Sequence, residues 1–305
     1  MSILAPIVLF VYNRPEHTAK TIQALQKNVL ASESELIIYA DAAKNDAAQE
    51  KVDKVGELLT NISGFKKVTI IKQDKNIGLA NSIISGVTEN VNKYGSVIVL
   101  EDDLVTSPYF LTYMNDALNL YADKKNVWHI SGWNYPIDDD GLGDTFLWRT
   151  MNCWGWATWS DRWQHFEKNT DNLIASFSKD NKYQFNLDGA EDFWGQVLAN
   201  KKGKINTWAI YWYATIFKNK GLCLNPVVTY VNNIGFDGSG VHCGVSDTYH
   251  SPLNVGKKIK FESELNENEY ALSRIQRFYK KSKKTFIQKL IHKTCRIITE
   301  RNIFK

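Results

Sequence analysis

Apolar runs separated by helical patterns organise the first half of the chain. Ile7 to Tyr12 reads as a buried strand, and Asn13-Arg14-Pro15-Glu16 then reads as a helix start, with Asn13 as cap, Pro15 in the first turn and the helix running to about Gln26. Leu36 to Ala40 is a second strand ending in Asp41, and Asn45 to about Thr60 suits a helix. Val68 to Lys72 is a third strand, followed by Asn76-Ile77-Gly78-Leu79 and a helix to about Asn92. Val97 to Leu100 is uninterrupted aliphatic, the pattern of a strand covered on both faces. A helix over Pro108 to Ala122 and a strand over Val127 to Ser131 come next.

This alternation predicts an α/β fold built on a doubly wound, mainly parallel sheet flanked by helices, of Rossmann-like form. Arg14, Asp41, Asn76 and Asp103 would then meet at one sheet edge. No G-x-G-x-x-G follows the first strand, which disfavours a dinucleotide cofactor.

The fourth strand ends abruptly in Glu101-Asp102-Asp103. Crowded carboxylates at the carboxyl edge of such a sheet repel unless a cation or hydrogen-bond donors neutralise them. Oxygen ligands of this kind favour Mg²⁺ or Mn²⁺, with diphosphate oxygens and water completing the shell. A solvated acidic turn before a helix is the structural alternative. Arg14, at a strand-to-helix junction, could reach a diphosphate or a base carbonyl, or else pair with Glu16.

Composition narrows the class. With 305 residues, 44% of them hydrophobic, the chain can bury a large core. Ile3 to Val11, broken by Pro6, lacks a signal peptide's charged front and cleavage site, so a cytoplasmic protein is expected. Cys153, Cys223, Cys243 and Cys295 form no C-x-x-C pair, against a zinc site or a disulfide framework.

Charge is unevenly spread. From Arg274 to Lys305 there are eleven Lys/Arg against Glu300, a net +10, and Phe286, Ile287, Leu290, Ile291, Ile297 and Ile298 recur near helical spacing among them. Such helices lie on anionic membrane surfaces or pack as ordinary surface helices. The expected division is a catalytic unit over 1–256, with a nucleotide-binding half of about 1–106 and an acceptor-side half of about 107–256, then basic amphipathic helices over 257–305.

The runs VIVLEDDLVTSPYF and VWHISGWN, with YNRPEHTAKTI and IIYADAAKND before them, are similar in order and spacing to N-acetylglucosaminyltransferase I and its bacterial relatives. These are inverting glycosyltransferases of the A-type (GT-A) nucleotide-sugar fold. The similarity covers roughly residues 5 to 245, and Pro226 to Val241 resembles that family's mobile loop. It implies a UDP-sugar donor, with Arg14 and Asp41 on the nucleotide, Asp102 on the ribose or sugar, Glu101 on donor-sugar hydroxyls and Asp103 on the metal. It also points to a glycan or lipid-linked oligosaccharide acceptor and surface-polysaccharide assembly at the inner face of a bacterial membrane. No nucleic-acid partner is expected.

Tryptophans crowd the middle of the chain. Trp156, Trp159 and Trp163 follow i, i+3, i+7, one face of a helix, and Trp159 and Trp163 are assigned to packing. Trp133 with Asn134, and Trp154 with Trp156 around Gly155, are candidates for the acceptor sugar or for the core. Asn232 to Gly244, rich in glycine and small polar residues, reads as a lid from which Ser239 or His242 would reach the diphosphate or metal, or as a static loop.

An inverting transferase needs a carboxylate that takes the acceptor's proton. In the family that residue is an Asp following the tryptophan of the stretch Thr207 to Trp212, where this chain has Ala209. Three readings stay open: Asp192, at a helix start after Gly189, is the base; the lineage has lost activity; or Ala209 is a deliberate substitution. A non-catalytic sugar-binding protein and a sugar-nucleotide pyrophosphorylase are the other classes. The second should carry a Gly-rich basic loop after its first strand, which this chain lacks.

Overall fold

The computed structural model describes residues 4–238, 248–256 and 258–282. The elements run β1 (Ile7–Val11), α1 (Pro15–Gln26), β2 (Glu35–Ala40), α2 (Asp46–Leu59), β3 (Lys67–Lys72), α3 (Leu79–Tyr94), β4 (Ser96–Glu101), β5 (Leu104–Thr106), α4 (Phe110–Leu120) and β6 (Val127–Ser131). The second half adds β7 (Thr145–Trp148), β8 (Trp156–Trp159), α5 (Ser160–Trp163), α6 (Thr170–Ser176), α7 (Lys179–Phe185), α8 (Phe193–Lys201) and α9 (Ala209–Lys218). β9 (Leu222–Pro226), β10 (Val231–Asn233) and α10 (Glu269–Ser282) complete it.

Eight strands form one sheet in the order β3-β2-β1-β4-β8-β6-β9-β7. β1, β2, β3 and β4 are parallel, and β6 is parallel to β9, whereas β8 runs antiparallel to both β4 and β6 and β7 antiparallel to β9. The expected α/β fold with a mainly parallel sheet is therefore present. Its central strands are fully covered: every residue of β1 and Val97 to Leu100 of β4 is buried. Each face has its own core, one holding Val8, Phe10, Val97 and Val99, the other Ile7, Leu9, Ile98 and Leu100.

Two local readings are corrected. Arg14, not Asn13, stands at the N-cap of α1, and no side chain caps that helix, because a guanidinium has no acceptor to offer the free amides of the first turn. Trp156-Ala157-Thr158-Trp159 is strand β8, not a helix. Alternation sends Trp156 to one core and Trp159 to the other, and only Trp163 lies in the short helix that follows. Trp159 and Trp163 are buried, as packing residues are.

The chain after position 257 runs back along the sheet edge. The backbone amide of Lys260 donates to Asp144 and that of Glu262 to the Thr145 hydroxyl, and Arg149 forks onto the Glu267 carboxylate. Helix α10 then buries Ala271, Leu272 and Ile275. The apolar positions from Phe286 onward lie outside the described residues.

Candidate active site

The turn after β4 places three carboxylates at the carboxyl edge of the sheet, beside the start of α1. Glu101 ends the strand, half-buried, while Asp102 and Asp103 are buried in the turn. Thr21, on α1, fixes this turn by donating its hydroxyl to the Asp102 carbonyl (2.8 Å) and accepting from the Leu104 amide (3.1 Å). Arg14 closes the arrangement: its guanidinium donates to Asp102 Oδ1 and lies 3.0 Å from Asp103 Oδ2.

Burial sets the electrostatics. Glu101 is held well above the ordinary carboxylate range by loss of solvent, reinforced by the charges of Asp103 and Asp102. Asp102 is pushed up to about 6, since burial outweighs the attraction of Arg14. Burial alone would lower the Arg14 pKa, yet Asp102 and Asp103 raise it above its ordinary value. Among the described residues, these three acids thus share the Arg14 cation.

Asp41 and Asn76 also meet, at the neighbouring strand end. Asp41 accepts from the backbone amides of Ala42 (3.0 Å), Ile77 (3.0 Å) and Gly78 (2.9 Å) and from Asn76 Nδ2 (3.1 Å). Asn76 further donates to the Ala42 carbonyl (2.8 Å). These bonds lock the loop that leads into α3. A cleft of about 600 Å³ opens beside them, lined in part by Tyr12, Asp41, Gln49, Asp53 and Lys72.

The chain after β10 passes over the acidic turn. β10 pairs antiparallel with β5, and the Ile234 amide donates to the Asp103 carbonyl (2.9 Å). His17, buried on α1, contacts Asp237 Oδ2 through Nε2 at 3.1 Å. So the first part of the loop-like stretch Pro226 to Val241 is a strand and a tethered turn. Ser239 and His242 lie outside the described residues.

A second cavity has a volume of about 350 Å³. Trp133, Trp154, Asn152, Ala209, Phe236 and Tyr249 are among its walls. Trp133 and Trp154 meet edge to face at 4.5 Å, and Gly155, at φ +64°, lets β10 approach so closely that a β-carbon there would come within 2.9 Å of Val231. Trp156 is not a wall of this cavity: it is buried between His129, Trp163 and Trp208. Asn134 is buried and donates to the Val227 carbonyl (2.9 Å).

Ala209 is the first residue of α9, with Trp208 at the N-cap, and is one of the cavity walls. Asp192 directly precedes Phe193, another wall of this cavity. It is exposed, caps α8 by accepting from the Gly195 amide (2.9 Å), and is not a cavity wall.

As to a metal, among the described residues no three His, Cys, Asp or Glu side chains converge to hold one by themselves. A carboxylate pair at a sheet edge fits the other arrangement, in which diphosphate oxygens supply most of the shell, and Asp103 could take part in it. Asp41, already engaged by four donors, fits poorly as a ligand.

The profile of the GNT-I family matches residues 1–170, more than half of the chain. The protein belongs to the GNT-I family. It is accordingly a glycosyltransferase of the GT-A type. The GNT-I match spans β1 to β8, with Arg14, Asp41 and the acidic turn, and ends before Asp192 and Ala209. No curated protein sequence matches the chain. Among solved structures, mannosyltransferase PcManGT from Pyrobaculum calidifontis, in complex with GDP-Man and Mn²⁺, is similar over 71% of this chain and 69% of its own, at 10% identity and TM-score 0.39. S. aureus TarS 1-349 is similar over 74% of this chain and 59% of its own, at 10% identity and TM-score 0.40. Its complex with UDP matches over 42% and 34%, at 13% identity and TM-score 0.29.

The sequence brought Arg14, Asp41, Asn76 and the three acids into view. It missed Gly235 against Asp103, His17 beside Asp237, and Asn152 in the second cavity. None of these follows a motif, and each partner is far away along the chain.

Proposed function

We propose that this GNT-I family member transfers a sugar from a UDP-sugar to a glycan acceptor with inversion and with a divalent metal. The observation that carries the reading is the Arg14–Asp102–Asp103 cluster in the turn at the carboxyl end of β4. The base and ribose take the Asp41 cleft, and Arg14 faces the diphosphate. Mn²⁺ or Mg²⁺, held at Asp103, would supply charge stabilisation to the departing diphosphate. Asp102 binds the ribose or sugar. Glu101, its pKa raised, can donate as well as accept a hydrogen bond to a donor-sugar hydroxyl.

Position 209 is the place for the base, at a helix start and on the cavity wall. A methyl group accepts no proton, so the chain binds donor and transfers it slowly. Asp192 is engaged as the cap of α8 and, unlike its neighbour Phe193, is not a wall of that cavity, which favours 209 over it. The same alanine supports a second reading, a sugar-nucleotide-binding protein without turnover.

The acceptor is a glycan or lipid-linked oligosaccharide of bacterial surface-polysaccharide assembly, reached from the cytoplasmic face. The +10 charge of residues 274–305 supports docking on anionic lipid. Among the described residues no helix is long and apolar enough to cross a membrane.

Calorimetry with UDP and Mn²⁺ tests the core of this reading. Binding should be strong with the ion and fall at least tenfold with EDTA or in Asp103→Ala, because diphosphate and carboxylates otherwise repel. Equal affinity in all three conditions would refute it.

A further inference from the structure

Resting on the transferase reading, we propose that Arg14 and the divalent ion compete for Asp103, and that the nucleotide's diphosphate resolves the competition by taking over the Arg14 guanidinium. In this structure the guanidinium donates to Asp102 Oδ1 and lies 3.0 Å from Asp103 Oδ2. Both carboxylates are buried, and Asp103 Oδ2 is also the atom that a β-carbon on Gly235 would meet. An ion using that oxygen would share it with the guanidinium. Two cations on one carboxylate oxygen repel, so each weakens the hold of the other.

The guanidinium is the partner with a way out. The Arg14 side chain is 20% exposed, against 6% and 10% for the side chains of Asp102 and Asp103. Its backbone is held: the Arg14 carbonyl accepts from the amide and from the hydroxyl of Thr18, both at 2.9 Å. The acidic turn is held as well, by Thr21 on the Asp102 carbonyl at 2.8 Å. The exchange is therefore a swing of one side chain about a fixed backbone, and it leaves the fold as it is.

Charge pairing makes the two ligands a couple. Glu101 holds a proton more readily than an ordinary carboxylate, so the negative charge of the turn falls to Asp102 and Asp103. Buried carboxylates stripped of their cation are costly. A nucleotide alone would draw Arg14 away from two bare acids, and an ion alone would leave Arg14 without an anion. Together they leave every charge paired. A guanidinium forks onto phosphate oxygens as readily as onto a carboxylate. The first turn of α1 has no side-chain cap, and its free amides favour an anion at the same junction. Arg14 thus keeps the ion weakly bound until the diphosphate arrives with it.

The test uses the full chain and two measurements: Mn²⁺ binding without nucleotide, by electron paramagnetic resonance, and UDP binding at saturating Mn²⁺, by calorimetry. Arg14→Met keeps an unbranched side chain and removes the charge. It should bind Mn²⁺ alone about tenfold more tightly than the parent and bind UDP about tenfold more weakly. Lys20→Met, which removes an exposed charge further along the same helix, should match the parent in both. Mn²⁺ affinity that is unchanged or lower in Arg14→Met, or that rises equally in Lys20→Met, overturns the competition. Unchanged UDP affinity in Arg14→Met overturns the exchange, since the guanidinium then never serves the diphosphate. If Arg14→Met misfolds, NMR of the parent with nitrogen-labelled arginine decides, with Arg14→Lys to assign the signal. The Arg14 guanidinium should shift with Mg²⁺ and UDP together and stay with Mg²⁺ alone; a signal unmoved by the pair, or moved as far by the ion alone, overturns the proposal. UDP failing to bind the parent with Mn²⁺ strikes the transferase reading, and the exchange falls with it.

Discussion

Gly235 faces Asp103 with no room for a side chain: a β-carbon on Gly235 would overlap Asp103 Oδ2 and stand 3.1 Å from an Arg14 guanidinium nitrogen. The constraint comes from space, not from backbone conformation, and the group in the way is a short carboxylate that can rotate.

Gly235→Ala should therefore fold and still lose its donor site. The added methyl turns Asp103 out of its contact with Arg14, so Mn²⁺-dependent UDP affinity falls about tenfold or more while the melting temperature moves by only a few degrees. Calorimetry and thermal melts on the same sample check both halves. A variant that binds UDP normally would show that Asp103 has freedom the geometry does not suggest.

Transfer should depend on position 209. Ala209→Asp places a carboxylate at the start of α9 on the cavity wall, and general-base catalysis typically contributes about 10²–10⁴-fold. Turnover in a transfer assay over a panel of UDP-sugars should rise by that order, with UDP affinity scarcely changed. Asp192→Asn should leave turnover nearly untouched. The reverse pattern, activity lost with Asp192 and none gained at 209, would move the base to α8.

Stability should carry the mark of His129. Burial lowers its pKa to about 3, far below the value near 6.5 of an exposed imidazole. Between those values the unfolded chain binds a proton that the native state refuses, so this contribution is complete above pH 6.5 and declines as pH falls towards 3. The expected loss is about 1.4 kcal/mol per pH unit in that window. Urea denaturation at pH 7, 6 and 5 should show the parent's stability relative to His129→Gln falling with pH, a comparison in which the opposite slope from the raised Glu101 and Asp102 cancels.

Vesicle binding should reside in the basic end. Truncation after Ser282 retains α10 and removes most of the positive excess, so it should abolish binding to anionic vesicles and spare UDP binding. Co-sedimentation at rising salt is the measurement, and binding that ignores salt or survives truncation would sink the membrane reading.

Much of the first half was legible in the sequence because β1, β2 and β4 are buried on both faces and read as apolar runs ending at polar residues, and the partly buried edge strand β3 is still rich in Val and Ile. The second half was not. Trp156-Ala157-Thr158-Trp159 has a strand's burial on both faces, so no polar alternation marks it, and two tryptophans three apart imitate a helix. The acidic turn was visible as a motif, but its neutralising partner was not: Arg14 is 88 residues from Asp102 along the chain, and nothing local tells whether it turns to Glu16 or to the acids. The same holds for Asn152, whose pairing with His129 spans 23 residues without any pattern.

Helix α10 joins two ends of the molecule that the sequence keeps apart. Tyr279 is a wall of the aromatic cavity, and Ser282 follows three residues later, about 5 Å further along the helix axis. A lipid surface gripped by the residues beyond would thus lie next to the acceptor's doorway. An acceptor carried on a lipid would then meet the catalytic face by diffusing in two dimensions, at an effective concentration set by that tether and not by its bulk solubility.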